Sequence, residues 1–144
     1  MNHLNHAVMY RFPADMAALP DVLQQLDNLA AQSSLALVQR AAIVIEELFT
    51  NSVCHGLRQA GAPAEVGLSV LQRDGALYVR YQDSFARFDP FQGLDDIWQA
   101  VTGPLEDRLI GGLGRLLVYG LSDSASYSRI DGSNRIDLFF APRV

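Results

Sequence analysis

The sequence predicts an α+β fold, a two-layer α/β sandwich in which a mostly antiparallel sheet carries helices on one face. Two stretches, Glu65 to Asp83 and Ala125 to Phe140, alternate apolar and polar residues on either side of an Asp-Gly pair, as antiparallel hairpins do. Three other stretches, beginning near Pro20, Leu35 and Gly112, repeat apolar residues every three or four positions, which is the helical period. No repeat, linker or low-complexity tract divides the chain, and 144 residues suit one domain spanning 1–144.

The opening "HAVMYRF" is a short apolar stretch closed by Pro13 and reads as a strand. The residues before it, with His3 and His6, read as a frayed terminus. Pro20 suits a first helical position, and Val22, Leu23, Leu26, Leu29 and Ala30 follow it in a helix of roughly three turns. Ser33 or Ser34 caps the next helix, the long central one. Its apolar positions are Leu37, Ala41, Val44, Ile45 and Leu48, and Gly56 stops it after His55. In the first hairpin Val66, Leu68 and Val70 run out, "RDG" turns the chain, and Leu77, Val79 and Tyr81 run back. The segment from Ser84 to Ile110 is the least regular, with one short helix expected around Asp95 to Ala100. Connections of that length are commonly lids. "GGLG" then opens a helix with Leu113, Leu116, Leu117 and Leu121 on one side.

Hydrophobic residues make up 49% of the chain and charged residues 19%, enough for a genuine core and too apolar for disorder. The formal net charge is −5 and the eleven basic residues are scattered, so no basic footprint marks a nucleic acid or an anionic membrane as partner. Cys54 has no second cysteine to pair with, and neither a leader-like start nor a membrane-length apolar run is present, so the chain reads as cytoplasmic.

Within "EELFTNSVCHG", Glu47, Asn51 and His55 recur at four-residue spacing and project from one helix face. Asp83 ends a strand, and Gly112 and Gly114 open a helix whose free N–H groups and dipole suit phosphate. Together these segments suggest a nucleotide site. The amide oxygen of Asn51 is a hard ligand suited to Mg²⁺, and Glu47 could take a proton from an attacking hydroxyl or water. Singly, each feature has a plain structural reading: a solvated helix face, a glycine turn, or His55 as a cation favouring a helix C-terminus.

"EELFTNSVCHG", Asp83 with the following "FDP", and "IGGLGRLLVYGLSDSASYSRIDGSNRIDL" resemble the N, G1 and G2 boxes and the tail of the GHKL (Bergerat-fold) ATPases. The likeness is strongest to the anti-sigma-factor serine/threonine kinases of bacterial partner switching. It implies ATP and Mg²⁺ as cofactors, Glu47 as general base, Asn51 as magnesium ligand, and Asp83 as acceptor of the adenine amino group. It also implies Gly112 and Gly114 as phosphate contacts, residues 84–110 as the ATP lid, and Arg108 within it as a phosphate contact. His55 and Phe85 complete the candidate cofactor-binding set. The implied partners are a STAS-domain anti-anti-sigma protein, which would be phosphorylated, and a sigma factor or equivalent regulator; relatives suggest a homodimer.

One position departs from the family pattern: its G1 box has glycine two residues after the aspartate, and this chain has Phe85. A positive φ there would cost a phenylalanine about 1–2 kcal/mol, and its ring would crowd the adenine slot. The alternative reading is therefore a degenerate, non-catalytic GHKL module that sequesters a partner. A sensor histidine kinase suits the sequence less well, because nothing upstream supplies a helical hairpin with a phosphoacceptor histidine.

Overall fold

In the computed structural model, residues 2–93, 118 and 120–143 are described. Strands β1 (Tyr10–Pro13), β2 (Glu65–Arg73), β3 (Ala76–Asp83), β4 (Ser124–Ile130) and β5 (Ser133–Phe140) form one sheet in the order β1-β2-β3-β5-β4, every neighbouring pair antiparallel. Helices α1 (Leu19–Leu29) and α2 (Leu35–His55) are joined by a short turn and packed together on one face. The expected α+β class and helical layer are present. Of the helix expected after "GGLG", only Val118, Gly120 and Leu121 are described, and all three are helical.

Local chemistry explains the boundaries. Ser34 is the cap of α2: its Oγ accepts from Leu37 N–H, satisfying one of the donors a helix start leaves free. Pro20 lies in the first turn of α1, where a missing N–H costs nothing. Both hairpins turn on an Asp-Gly pair in which each residue has positive φ, Asp74 at 54° with Gly75 at 78° and Asp131 at 49° with Gly132 at 78°. That geometry matches the right-handed twist of the flanking strands.

The core lies between α1, α2 and the sheet. Leu37, Ala41, Val44, Ile45, Leu48 and Phe49 of α2 meet the inward rows Val66 and Leu68 of β2, Leu77, Val79 and Tyr81 of β3, and Ile136, Leu138 and Phe140 of β5. Helical period three to four and strand period two thus converge on one apolar layer. Among the described residues no helix is long and apolar enough to cross a membrane.

The N-terminus is not frayed. Asn2–His6 form a 3₁₀ helix whose Leu4 is fully buried, on the sheet face away from α1 and α2. That face needs a cover because it holds an ion pair: Arg80 donates to Asp137 through Nε (2.7 Å) and Nη2 (3.1 Å), both side chains nearly inaccessible. Asn5 Oδ1 accepts from Arg80 Nη1 at 3.2 Å, and the His3 ring meets Tyr78 edge-on. A terminus that satisfies a buried guanidinium is tied down by it.

Candidate functional site

Seven residues of α2 turn inward, from Leu37 to Ser52, and Glu47 and Asn51 lie half-buried at the margin of that stripe. Asn51 Nδ2 donates to Glu47 Oε1 at 3.3 Å, one helical turn apart. A carboxylate only accepts, so the amide nitrogen must face Glu47, and Asn51 Oδ1 is left to accept from or coordinate something else. Glu46, next in sequence, is exposed on another side. His55 ends α2 exposed to solvent and makes no hydrogen bond to Glu47, Asn51 or Asp83.

Asp83, the last residue of β3, continues the inward row Leu77, Val79, Tyr81 one step past its apolar part. Its Oδ2 accepts from Ser52 Oγ at 2.7 Å, so the carboxylate meets α2 at the residue after Asn51. Ser52 Oγ is also 2.6 Å from Tyr81 Oη. Ser52 has one proton, and Asp83 can only accept it, so Tyr81 must donate to Ser52. Tyr81 also lies 3.3 Å from the Leu48 carbonyl. The order Tyr81 to Ser52 to Asp83 is therefore set by proton inventory. Burial raises the Tyr81 phenol well above its ordinary range, and the nearby Asp83 charge raises it further.

Phe85 does not adopt the left-handed conformation considered for it. Asp74 and Asp131 alone among the described non-glycine residues have positive φ, so Phe85 carries no left-handed strain. Its ring is buried over Gly56 at the end of α2. The backbone around it is tied down. Phe85 N–H donates to Asp83 Oδ1 at 3.1 Å, and its carbonyl accepts from Arg129 Nη1 (2.8 Å) and Gln59 Nε2 (3.0 Å).

Asn134, the direct cross-strand partner of Asp83, is the hub of this region and almost wholly buried. Its Nδ2 donates to Asp83 Oδ1 and the Ala86 carbonyl, each at 2.9 Å. Its Oδ1 accepts from Tyr127 Oη (2.6 Å), Arg129 Nη1 (3.0 Å) and Phe88 N–H (3.0 Å). Residue-by-residue reading missed Ser52, Tyr81, Gln59 and Asn134 as parts of this site. A signal existed for Asn134, a polar residue that opens the inward row Ile136, Leu138, Phe140.

The structure therefore brings Glu47, Asn51 and Asp83 to one region between the second half of α2 and the end of β3. Arg108, Gly112 and Gly114, and residues 94–110 of the expected lid, lie outside the described residues. Among those described, no cluster of three His, Cys, Asp or Glu side chains could hold a metal. The oxygen of Asn51 beside Glu47 still suits a hard cation that takes most of its ligands from water and phosphate, as Mg²⁺ does.

Compared with known families, residues 12–140 match the model of the histidine kinase-like ATPase domain. The chain belongs to that family. A search of curated proteins finds no match. Among solved structures, the RsbU and RsbW domains of Rv1364c from Mycobacterium tuberculosis align with 93% of this chain and 32% of theirs, at 16% identity and a TM-score of 0.58. The histidine kinase domain of the blue-light-activated kinase EL346 from Erythrobacter litoralis aligns with 90% of this chain and 61% of its own, at 15% identity and a TM-score of 0.50. The chain thus spans about a third of the first neighbour and three fifths of the second, and the likeness is one of fold.

Proposed function

We propose that this chain is an ATP-dependent serine/threonine protein kinase acting as an anti-sigma regulatory factor, with a STAS-type antagonist as its substrate. The observation that carries the nucleotide reading is the Ser52–Asp83 hydrogen bond. It sets a strand-end carboxylate against the helix turn that bears Glu47 and Asn51, in a chain of the histidine kinase-like ATPase family. The serine/threonine and anti-sigma reading is supported by the "GGLG" and tail motifs, and by likeness to a structure that includes an RsbW domain.

In this reading Asp83 would accept a base amino group and Asn51 Oδ1 would hold the metal that accompanies the phosphates. Mg·ATP, when bound, supplies the phosphoryl group. Glu47 Oε receives the proton of the attacking serine or threonine hydroxyl, and the hydrogen bond from Asn51 keeps that carboxylate oriented. Gly112 and Gly114 would meet the phosphates, with Arg108 from the lid.

Calorimetric titration with Mg·ATP, followed by phosphotransfer to a STAS-domain protein, tests the proposal. The expected result is binding tighter than millimolar, about −4 kcal/mol, and a phosphoserine or phosphothreonine on the antagonist. ATP binding without transfer would remove the kinase assignment. No binding at all would leave the non-catalytic partner-binding module.

A further inference from the structure

Asp83 has less capacity for a ligand than a free carboxylate. A carboxylate offers about four acceptor positions on its two oxygens. Ser52 O–H occupies one on Oδ2, while Phe85 N–H and Asn134 Nδ2 occupy both on Oδ1. Among the described residues nothing fills the remaining position, on Oδ2. We infer that Asn134 is a positioning residue that restricts Asp83 to a single ligand donor. The site then selects a base edge with one amino group beside a ring-nitrogen acceptor over an edge with two adjacent donors. This deepens the nucleotide reading above and rests on it.

The two kinds of edge differ in what they ask of a carboxylate. Adenine presents one amino group next to the N1 acceptor, and a single free position on Oδ2 meets it. Guanine presents N1–H and the N2 amino group side by side, a fork that needs one free position on each oxygen. With Oδ1 filled, one of those donors would be buried without a partner, and such mismatches give strong discrimination. Cytosine carries the adenine pattern, so the restriction concerns the amino edge and not ring size.

Asn134 cannot withdraw its hydrogen bond by turning over. Rotating the amide by 180° would set its nitrogen against three donors, Tyr127 O–H, Arg129 Nη1 and Phe88 N–H. It would also set its oxygen against Asp83 and the Ala86 carbonyl. Asn134 and Asp83 are moreover direct cross-strand partners of β5 and β3, so the backbone ladder holds the pair together. Removing the Asn134 side chain leaves Phe85 N–H alone on Oδ1 and opens the second position that a two-donor edge needs.

The test compares Mg·ATP and Mg·GTP dissociation constants, measured by calorimetry, for the wild-type chain, Asn134→Ala and Tyr127→Phe. The wild type is expected to prefer ATP by about 100-fold or more, and Asn134→Ala to narrow that ratio at least about tenfold, the scale of one hydrogen bond to a charged group. Tyr127→Phe touches only the oxygen side of Asn134 and should keep the wild-type ratio. If circular dichroism shows Asn134→Ala unfolded, Asn134→Val, which has no donor to offer Asp83, carries the same expectation. An Asn134 variant that weakens both nucleotides equally would make Asn134 a purely structural residue and overturn the inference, as would a wild type that binds GTP as tightly as ATP. A wild type that binds ATP, with an unchanged ratio in the Asn134 variants, defeats this inference alone. A wild type that binds neither nucleotide defeats the underlying nucleotide reading as well.

Discussion

The ring of Phe85 lies where a side chain on residue 56 would begin. A Cβ on Gly56 would be 2.7 Å from Phe85 Cγ and would also collide with the carbonyl oxygen of Ser52. Gly56 has φ −65° and ψ 138°, a conformation open to any residue, so glycine is needed here for space and not for a left-handed turn. Gly56→Ala should destabilise the fold by about 1–3 kcal/mol, the usual cost of overpacking. Urea unfolding of Gly56→Ala, Phe85→Leu and the double variant should show coupling between the two sites, with partial relief in the double variant because the Ser52 clash persists. Additive effects would contradict direct contact.

Phe85→Gly, which restores the family's glycine, should not improve nucleotide binding. The ring is buried against α2, and its removal should cost about 3–5 kcal/mol of stability as a large-to-small core change. Because the backbone of Phe85 helps hold Asp83, binding should weaken along with stability. A tighter Kd for Mg·ATP in a stably folded Phe85→Gly protein would show that the ring obstructs the site.

Glu47 and Asn51 are hydrogen-bonded yet should fail differently. Glu47→Gln should keep Mg·ATP binding and slow phosphotransfer by about 10²–10⁴-fold, the usual worth of a positioned general base. Asn51→Ala should weaken Mg·ATP binding itself, since it removes the proposed metal ligand. Glu46→Gln, on the exposed side of α2, should change neither quantity. Titration calorimetry and single-turnover phosphotransfer separate the three.

Tyr81 makes a prediction in pH. Its folded pKa is raised above the ordinary value of 10.0, chiefly by burial, so the folded state keeps a proton that the unfolded state gives up. That contribution is fully present below pH 10.0 and is lost as pH rises toward the raised folded value. Stability measured by urea unfolding should decline above about pH 10, and Tyr81→Phe should flatten the decline while lowering stability near neutrality through the lost bond to Ser52.

The Arg80–Asp137 pair provides a test away from the site. Asp137→Asn should cost about 3–5 kcal/mol, because it leaves the nearly inaccessible Arg80 with Asn5 and a neutral amide in place of a carboxylate. Replacing both residues with apolar ones of similar volume should recover much of that loss. Thermal unfolding of the single and double variants checks both statements.

Much of this architecture was written locally. The cap at Ser34, the long apolar stripe of α2 and the two Asp-Gly turns with alternating strands depend on neighbours within a few residues, and so could be read in order along the chain. The same periodicity placed Asp83 at the end of an inward row, and the four-residue spacing placed Glu47 and Asn51 together. His3 and His6 misled, because nothing near them in sequence announces the buried guanidinium that anchors the terminus. Gly56 was read as the stop of α2, and only the fold shows that the Phe85 ring also leaves no room for a side chain there.

By itself, then, the sequence determined the elements, their order and the residue types for nucleotide chemistry, because propensity, capping and turn geometry are short-range effects. Only the tertiary structure decided how Asp83 is dressed. Ser52 reaches it across 31 positions and Asn134 across 51, and a hydrogen bond between groups so far apart exists only after the sheet has closed and α2 has docked on it. The same packing set Tyr81, Ser52 and Asp83 in one line of hydrogen bonds, and the Phe85 ring came to lie over Gly56. Such constraints arise from which surfaces exclude water together, and that is a property of the packed chain.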